Sequence, residues 1–341
     1  MVNLYVTSSQ EGAGKTTLCA GVGKHLQKSG KKVGYLKLAI SSKPHTLTPY
    51  YDTGLIRGKP DDGDAAFMKR IFGLQETADD ICPVLDGQNT IEKVKQAFAK
   101  VALGKDVVIV EGLPFDTSSG IVEALGARVI VVEGYASERA LSGYKIFGTQ
   151  LLGVAINKAP KGKVARVQSQ ALTELSQPGI NLLGALPEDR TLVALTIGEL
   201  AELVKGKFLD GANRSDELIE NFMLGAMTID PGPLYYSRKS EKAVLVRSDR
   251  PDMQMAALET PTKCLVLVGN TPPIRDVLTR AQTKKVPVIL ASGDIKGLAT
   301  TIENAFSQAK FNQDKKLTKL GEIMGQSFNF KAAYQGLGLA A

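Results

Sequence analysis

The sequence holds few of the side chains on which metal clusters, disulfides and nucleophilic triads depend. Its 341 residues include three cysteines, two histidines and no tryptophan. Cys19, Cys82 and Cys264 are far apart and form no C-x-x-C pair, so we expect the reduced, buried thiols of a cytoplasmic protein. His25 and His45 have no partners at the spacing of a metal site or a Ser-His-Asp triad. The sequence therefore does not indicate a disulfide framework, a metal cluster or a triad hydrolase.

Long apolar runs are also absent. No stretch reaches the roughly 18 apolar residues of a membrane-spanning helix. The N-terminus enters a strand-like segment at once, without the basic, apolar and small-residue regions of a signal peptide. We therefore expect a soluble cytoplasmic protein that does not bind membranes, in agreement with its 43% hydrophobic and 23% charged residues.

The charge pattern does not favour nucleic acid as a partner. The formal net charge is +7, but the basic residues are scattered in short pairs such as Lys31-Lys32 and Lys284-Lys285. A nucleic-acid surface is typically a basic stripe interleaved with aromatics, whereas only 6% of this chain is aromatic. A mildly basic surface is compatible with acidic small-molecule ligands.

One segment near the N-terminus has the pattern of a phosphate-binding loop. The run TSSQEGAGKTT, residues 7–17, follows a strand-like start and precedes a helix-like stretch. Small residues let successive backbone N–H groups face one concavity, and the following helix adds its positive N-terminus. Ser9 stands where the strict G-x-x-x-x-G-K-S/T pattern has its first glycine. The residues expected to bind the nucleotide phosphates are Gly12, Ala13, Gly14, Lys15, Thr16 and Thr17, with the Thr16 hydroxyl also on Mg²⁺.

The order of apolar segments predicts two α/β domains. Strand-like and helix-like segments alternate through the first half of the chain, which is typical of a parallel sheet covered by helices on both faces. A second alternation follows a region of mixed helix and glycine-containing turns. The predicted organisation is a nucleotide-binding domain at 1–190, a linker at 191–212 and a smaller α/β domain at 213–330.

Three polar residues stand at positions where the predicted sheet would bind a ligand, beyond the carboxyl ends of its strands. Glu111 follows the strand-like run 106–110, in which residues 107–110 are apolar, so it is the expected Mg²⁺ partner. Asp64, at the start of a helix, is either a second Mg²⁺ ligand or a helix N-cap. Lys37, at a strand end, either extends to solvent from the surface or stabilises a transferring phosphoryl group.

The dipeptide Asn157-Lys158 ends a further strand. It is similar to the start of the base-reading Asn-Lys-x-Asp motif, but position 160 is proline, so guanine specificity is not indicated. Asn157 either bonds an adenine edge or simply terminates the strand, and the sequence leaves both readings open.

A group of motifs across the first domain carries a family resemblance. They are Gly14-Lys15-Thr16, Gly34-Tyr35-x-Lys37 with Ser41, Asp64, Val110-Glu111-Gly112 and Asn157. On these motifs, residues 1–190 resemble dethiobiotin synthetase. The resemblance implies that Lys15 and Thr16 bind ATP and Mg²⁺, that Asp64 and Glu111 complete the metal site, that Lys37 and Ser41 face the substrate carbamate, and that Asn157 faces the adenine.

The departures from that family concern its substrate side. Ser8 replaces a glycine of the family's loop, and Glu11-Gly12 replaces Thr-Glu. The family's Glu-Gly-Ala-Gly-Gly segment, which shapes the diamino-acid site, is here residues 111–115, EGLPF. The nucleotide half of the site is thus retained and the substrate half is altered.

The second half carries a different resemblance. Residues 220–227, 248–254 and 257–260 are similar to a DRTGG domain, with its Asp-Arg pair but without its two glycines. Together the halves resemble the regulatory N-terminal region of long bacterial phosphotransacetylases, or stand-alone proteins of that architecture. This implies a P-loop NTPase-type parallel sheet followed by a smaller α/β domain, whose candidate ligand residues are Asp249, Arg250 and Asn270.

Three functions are compatible with these features. The first is an ATP-Mg²⁺-binding regulatory or sensor protein, with slow hydrolysis at most and an unknown small-molecule or protein ligand at the second domain. The second is an ATP-dependent ligase, of the dethiobiotin synthetase or cobyrinate amidotransferase kind, that phosphorylates a carboxylate or carbamate. The third is an interaction protein with a relic loop, against which the intact Lys15, Thr16 and Glu111 argue. A homodimer is expected.

Overall fold

The computed structural model describes residues 1–40, 63–85, 89–135, 141–177, 179–226, 232–309 and 311–339. The chain forms two compact units. Among the described residues, unit 1 contains those up to Asp189 and those from Phe311 onwards, and unit 2 contains the residues between. None of the helices in these ranges has the length and apolarity that a membrane crossing needs.

Unit 1 is built on a six-stranded parallel sheet. Its strands, with a separate two-stranded pair β3–β4, are β1 (Val2–Thr7), β2 (Val33–Lys37), β3 (Ala39–Ile40), β4 (Val84–Leu85), β5 (Val107–Glu111), β6 (Arg128–Gly134), β7 (Leu151–Ala159) and β8 (Leu182–Pro187). Its first helices are α1 (Lys15–Lys28), α2 (Gly63–Phe72), α3 (Ala78–Ile81), α4 (Thr90–Ala102), α5 (Ser119–Leu125), α6 (Leu141–Tyr144) and α7 (Val164–Ser176). The spatial order is β2-β5-β1-β6-β7-β8, so the expected helix-flanked parallel sheet is confirmed.

The strand order places the phosphate loop at a change of direction. From β1 the chain crosses by α1 to β2 on one side, whereas from β5 it crosses by α5 to β6 on the other. Because such crossovers are right-handed, the two helices leave on opposite faces of the sheet. A crevice opens at the carboxyl ends of strands where the connections diverge in this way. The loop after β1 lies at that point, between its neighbours β5 and β6.

Unit 2 has a five-stranded sheet and a small two-stranded pair, β9–β11. Its strands are β9 (Leu195–Thr196), β10 (Lys207–Asp210), β11 (Leu218–Ile219), β12 (Asn221–Gly225), β13 (Lys242–Arg247), β14 (Thr262–Val268) and β15 (Val288–Ala291). Its helices are α8 (Ile197–Leu203), α9 (Gly232–Tyr236), α10 (Pro251–Leu258), α11 (Arg275–Lys284) and α12 (Ile295–Gln308). The order is β10-β15-β14-β13-β12, parallel except for β10.

The segment predicted as a linker is part of the core of unit 2. Residues 191–212 contain β9, α8 and β10. Thr196 caps α8 in a capping box with Glu199. The buried side chains of Ile197 and Leu200 belong to one of the two apolar clusters that cover the sheet. The linker prediction fails because glycine-containing turns separate short elements here without exposing them.

The end of the chain also differs from the predicted domain. Two more helices, α13 (Lys316–Ser327) and α14 (Phe330–Gly336), belong to unit 1 and not to the domain predicted to end at 330. Helix α13 packs against α1, where a Cβ atom on Gly21 would lie 1.9 Å from Met324 Sδ. Beyond it, Asn329 N donates to Leu183 O at 2.7 Å, so this C-terminal segment covers the edge of β8.

Gly184 makes that close approach possible. A Cβ atom there would lie 2.0 Å from the Ser327 backbone oxygen, and its φ of 151° disfavours other residues. We expect Gly184→Ala to destabilise the protein by about 1–3 kcal/mol, because backbone on both sides must move. Urea unfolding followed by fluorescence measures this. Gly325→Ala on α13 is the matched control, since its Cβ would meet nothing within 4 Å. Equal stability of the two variants would contradict the packing described.

Candidate functional site

The phosphate loop is held between β1 and α1 by contacts to the segment after β5. Thr7 Oγ1 donates to Leu113 O at 2.6 Å, and Phe115 N donates to Ser8 O at 3.2 Å. Gly12 and Gly14 have φ values of 72° and 104°, in the left-handed region that favours glycine. The loop conformation therefore requires glycine at both positions that the sequence pattern identified.

The two polar side chains that open α1 are both engaged by the protein. Lys15 Nζ donates to Ser8 Oγ at 3.0 Å, and the Ser8 hydroxyl donates to Gln10 O at 2.7 Å. Thr16 Oγ1 donates to Glu111 Oε1 at 2.8 Å. These are the residues expected to reach phosphate and Mg²⁺. The positive end of α1 lies beside them, which favours an anion.

Glu111 is buried at the tip of β5, with an exposed fraction of 5%. Its second carboxylate oxygen, Oε2, accepts from Tyr35 Oη at 2.6 Å. Burial raises the pKa of Glu111, and the Lys37 charge and these hydrogen bonds oppose that rise. Burial also raises the pKa of Tyr35 well above its usual value, so the phenol stays a donor. Tyr35 belongs to the Gly34-Tyr35-x-Lys37 motif, but the sequence alone assigns it no role.

Lys37 and Asp64 form an ion pair across the same edge of the sheet. Lys37 Nζ lies 2.7 Å from Asp64 Oδ2, and both side chains are largely buried. Lys37 is therefore not the solvent-extended lysine that one reading allowed. Asp64 stands one residue inside α2, in its first turn, and not at the N-cap. Both charges lie close enough to Glu111 to act on its pKa.

The oxygen donors at this edge fit Mg²⁺. Within the described residues no group of three or more His, Cys, Asp or Glu side chains could hold a metal. The candidate set is instead two carboxylates and one hydroxyl, from Glu111, Asp64 and Thr16. Hard oxygen ligands of this kind, completed by phosphate oxygens and water, are those Mg²⁺ prefers. A buried carboxylate whose pKa is raised is also one that a nearby cation would stabilise.

We expect Tyr35→Phe to weaken the Mg²⁺ dependence of nucleotide binding by about tenfold, as is typical when a residue that orients a metal ligand is lost. Removing the hydroxyl leaves Glu111 Oε2 without its donor and frees the carboxylate to turn. Nucleotide titrations at several Mg²⁺ concentrations and in EDTA measure this. Tyr235→Phe in unit 2, which removes a hydroxyl bonded to Leu224 O, is the control. An equal loss of nucleotide affinity in EDTA would contradict the proposal that Tyr35 acts by orienting a ligand of the cation.

Asn157 and Lys158 contact the loop backbone. Asn157 Nδ2 donates to Ala13 O at 2.8 Å, and Lys158 Nζ donates to Gly12 O at 2.8 Å. Asn157 is 8% exposed, and its Oδ1 accepts from the backbone N–H of Lys158 at 2.9 Å. The structure thus brings Asn157 to the loop, with its amide occupied by protein groups.

A second buried carboxylate beside the loop was missed by sequence reasoning. Glu133, near the end of β6, is fully buried. Its Oε2 accepts from Ser9 Oγ at 2.5 Å and its Oε1 from Tyr144 Oη at 2.9 Å. Ser9 is the residue that replaces the usual first glycine, so its hydroxyl has a structural partner. A charged residue directly after the apolar run 129–132 is the signal that could have indicated it.

The remaining predicted residues lie elsewhere. Ser41 is outside the described residues. In unit 2, Asp249 pairs with Arg247 and Arg250 with Asp252, on the surface. These pairs are of the exposed kind that contributes little to stability. Asn270 is exposed, two residues beyond the end of β14.

Helices cover both faces of the unit 2 sheet. Helix α11, after β14, buries Val277 and Ala281 in one apolar cluster. Helix α12, after β15, buries Ala299 and Ile302 in the cluster on the other face. Asn270 follows β14, at the carboxyl edge of the sheet. Asp249 and Arg250 follow the neighbouring strand β13, so the three predicted residues share this edge.

Comparison with protein families separates the same two parts. The profile of the CobQ/CobB/MinD/ParA nucleotide binding domain matches residues 4–199. The DRTGG domain profile matches residues 199–305. The resemblance of the second half to a DRTGG domain is therefore confirmed.

The curated relatives are phosphate acetyltransferases. That of Pseudomonas aeruginosa is 22% identical over 99% of this chain and 52% of its own length. That of Pseudomonas putida is 25% identical over 75% of this chain and 39% of its own. The chain thus spans about half the length, or less, of these relatives. The likeness to phosphotransacetylases is therefore confirmed for that part of their length.

Solved structures show distant likeness to each part. MinD from Pyrococcus horikoshii, complexed with Mg-ADP, is 18% identical over 56% of this chain and 83% of its own, with a TM-score of 0.34. The CBS and DRTGG domains of Clostridium perfringens pyrophosphatase, complexed with the activator diadenosine tetraphosphate, are 10% identical over 46% of this chain and 82% of their own, with a TM-score of 0.29.

Proposed function

Since the chain belongs to the CobQ/CobB/MinD/ParA nucleotide-binding domain family and carries a DRTGG domain, we propose that it is a regulatory or sensor protein that binds ATP with Mg²⁺. Hydrolysis is slow at most. The single observation that carries this proposal is the convergence of Lys15, Thr16 and Glu111 at the N-terminus of α1. Lys15 would exchange Ser8 for the outer phosphates, and Thr16 would turn from Glu111 to the cation.

The charges of the site support a triphosphate ligand. Backbone N–H groups of the loop and the start of α1 would hold the phosphates, with Lys15 as the mobile charge. Magnesium would neutralise charge between the phosphates and Glu111 or Asp64, which is the chemistry it supplies in such sites. Lys37 would balance Asp64, the carboxylate it already contacts.

The segment after β5 favours the regulatory reading over the ligase reading. A Cβ atom on Gly112 would lie 2.1 Å from the Tyr5 ring. The Leu113 N–H already donates to Tyr5 Oη at 3.1 Å, so it does not donate to a substrate. The Leu113 carbonyl accepts from Thr7 and Ser118 hydroxyls. The backbone groups that would form a substrate pocket are thus bonded into the core. That observation supports binding without substrate turnover.

An ATP-dependent ligase remains the second candidate, because Lys37 is a buried cation at a strand end beside the metal donors. A lysine there would stabilise a phosphoryl group in transfer to a carboxylate or carbamate. Catalysis of that step consists mainly of positioning and charge neutralisation. It would need an acceptor substrate bound within reach of the γ-phosphate.

Phosphate release separates the two candidates. Release by the wild-type protein is measured with Mg-ATP alone and with diaminopelargonate plus bicarbonate added. The regulatory proposal expects the same slow rate in both. A rate that rises with the added substrates would overturn it in favour of the ligase. Lys15→Ala should abolish any release that comes from this site, whereas Lys28→Ala, an exposed lysine on the same helix, should not.

The second unit would carry the regulatory ligand or partner. We place its site at the carboxyl edge between β13 and β14, with Asn270, Asp249 and Arg250 as the contacting residues. Asp249 and Arg250 follow β13 and Asn270 follows its neighbour β14, which supports that position. Ligand binding there is tested by thermal-shift screening of the wild type against Asn270→Ala.

Assembly and location complete the proposal. We propose a cytoplasmic homodimer, in agreement with the resemblance to the N-terminal region of phosphotransacetylases. Light scattering coupled to size-exclusion chromatography, with and without Mg-ATP, measures the mass. A monomer under both conditions would refute the dimer.

A further inference from the structure

The end of β7 is joined to the phosphate loop by two side chains in a row. Asn157 donates to the carbonyl of Ala13, and Lys158 donates to the carbonyl of Gly12, both at 2.8 Å. These carbonyls belong to consecutive peptide groups of the loop. Both donors come from a strand that lies two places from β1 in the sheet, so the contact fixes the loop from outside its own chain segment.

Peptide geometry converts these contacts into an orientation of the loop amides. In a trans peptide group the C=O and the N–H of the next residue point in opposite directions. Holding the Gly12 carbonyl on Lys158 therefore directs the Ala13 N–H away from β7. Holding the Ala13 carbonyl on Asn157 directs the Gly14 N–H likewise. These are the N–H groups that a phosphate-binding loop must present to its ligand.

The local backbone is adapted to the contact on both sides. A Cβ atom on Gly14 would lie 2.0 Å from Asn157 Nδ2, so only glycine admits the amide. Lys158 has a φ of 60°, a left-handed conformation that non-glycine residues seldom adopt. Asn157 Oδ1 accepts the N–H of Lys158 itself, which ties the two residues together.

We propose that Asn157 and Lys158 are positioning residues for the phosphate loop, a clamp that acts on the polyphosphate end of the ligand and not on its base. This rests on the proposed nucleotide function of unit 1. The amide uses its oxygen and one of its two donor hydrogens within the protein, which supports the clamp. Contact with the adenine through the remaining hydrogen is the alternative that the binding measurements separate from it. The ligand class the clamp serves is any polyphosphate that fits the loop.

The test compares three ligands that share phosphates but not a base. Binding of Mg-ATP, Mg-GTP and inorganic tripolyphosphate is measured by calorimetry for the wild type and Asn157→Ala. If the clamp is correct, Asn157→Ala lowers the affinity about tenfold for each of these ligands that the wild type binds. That is the effect expected when one buried hydrogen bond is removed. A loss confined to ATP, with tripolyphosphate unchanged, would show that Asn157 reads the base and would overturn the clamp. Unchanged binding of all ligands would overturn it too.

Lys158→Met tests the second half of the clamp with little risk to folding, since Lys158 is exposed. Lys163→Met removes the same charge from an exposed position nearby in the sequence and controls for general electrostatics. Lys158→Met should weaken binding of all the ligands, and Lys163→Met should change it little. Equal effects of the two variants would overturn the assignment of Lys158.

Hydrogen–deuterium exchange without ligand separates the clamp from the nucleotide function. Exchange of the peptide covering residues 7–17 should be faster in Asn157→Ala and Lys158→Met than in the wild type and in Lys163→Met. Unchanged exchange would overturn the clamp while leaving nucleotide binding intact. A wild type that binds none of the three ligands would instead refute the proposed function, even where the exchange result holds.

Discussion

Replacing Lys15 with alanine is expected to weaken Mg-ATP binding about 100-fold or more. The ammonium group would bridge two phosphate oxygens. Because a hydrogen bond to a charged group contributes about 1.5–3 kcal/mol, the loss of two such bonds lowers the affinity by well over a factor of ten. The fold should survive, because the hydrogen bond that the Lys15 ammonium makes to the Ser8 hydroxyl lies within the loop itself. Calorimetric titration with Mg-ATP measures the change.

The matched control is Lys28→Ala, which removes the same charge from the exposed last turn of α1. It should bind Mg-ATP within a factor of about two of the wild type, since exposed charges this far apart along a helix are screened by salt. Equal losses in both variants would show that overall charge, and not the loop, determines affinity.

The second large effect is expected for Glu111→Gln. This change keeps the side-chain shape but removes the charge at the tip of β5, so we expect Mg²⁺ to lose most of its effect on ATP binding, about 10- to 100-fold. The melting temperature of the ligand-free protein should change by only a few degrees. Burial raises the pKa of Glu111, so loss of the charge costs little, whereas one of the two hydroxyl donors, Thr16 or Tyr35, loses its acceptor oxygen. Titrations in Mg²⁺ and in EDTA, with thermal unfolding alongside, measure both results.

Glu123→Gln on the surface of α5 serves as the control for loss of one negative charge. It should leave the Mg²⁺ dependence unchanged. If Glu111→Gln retained the full response to Mg²⁺, the cation would have to bind through other groups, and the assignment of Glu111 would be wrong.

The phosphate loop and the strand ends are predictable from the sequence because they are local features. Glycines at positions 12 and 14 are needed for left-handed backbone, and an apolar run ending in Glu111 marks a buried central strand. The contacts that make these residues a site are not local. Tyr35 reaches Glu111 only because β2 and β5 pair in the register that sets Tyr35 beside Ile109. That register is decided by the whole sheet.

The same reason explains the errors in domain boundaries. The helical pattern after Asp314 is visible in the sequence, but the pattern does not tell which core receives it. Gly21 and Gly184 leave the space into which Met324 and the backbone at Ser327 fit, and neither glycine is distinctive in the sequence. Likewise, the glycines around α8 favour a linker in the sequence. Only the structure shows that the apolar face of α8 packs against the sheet of unit 2.

The most direct test of the account is a calorimetric titration of the wild-type protein with ATP, in Mg²⁺ and in EDTA, with phosphate release followed in the same samples. We expect saturable binding of one ATP per chain, with an affinity that Mg²⁺ increases and with slow phosphate release at most. Absence of saturable binding, or binding that Mg²⁺ does not affect, would contradict it.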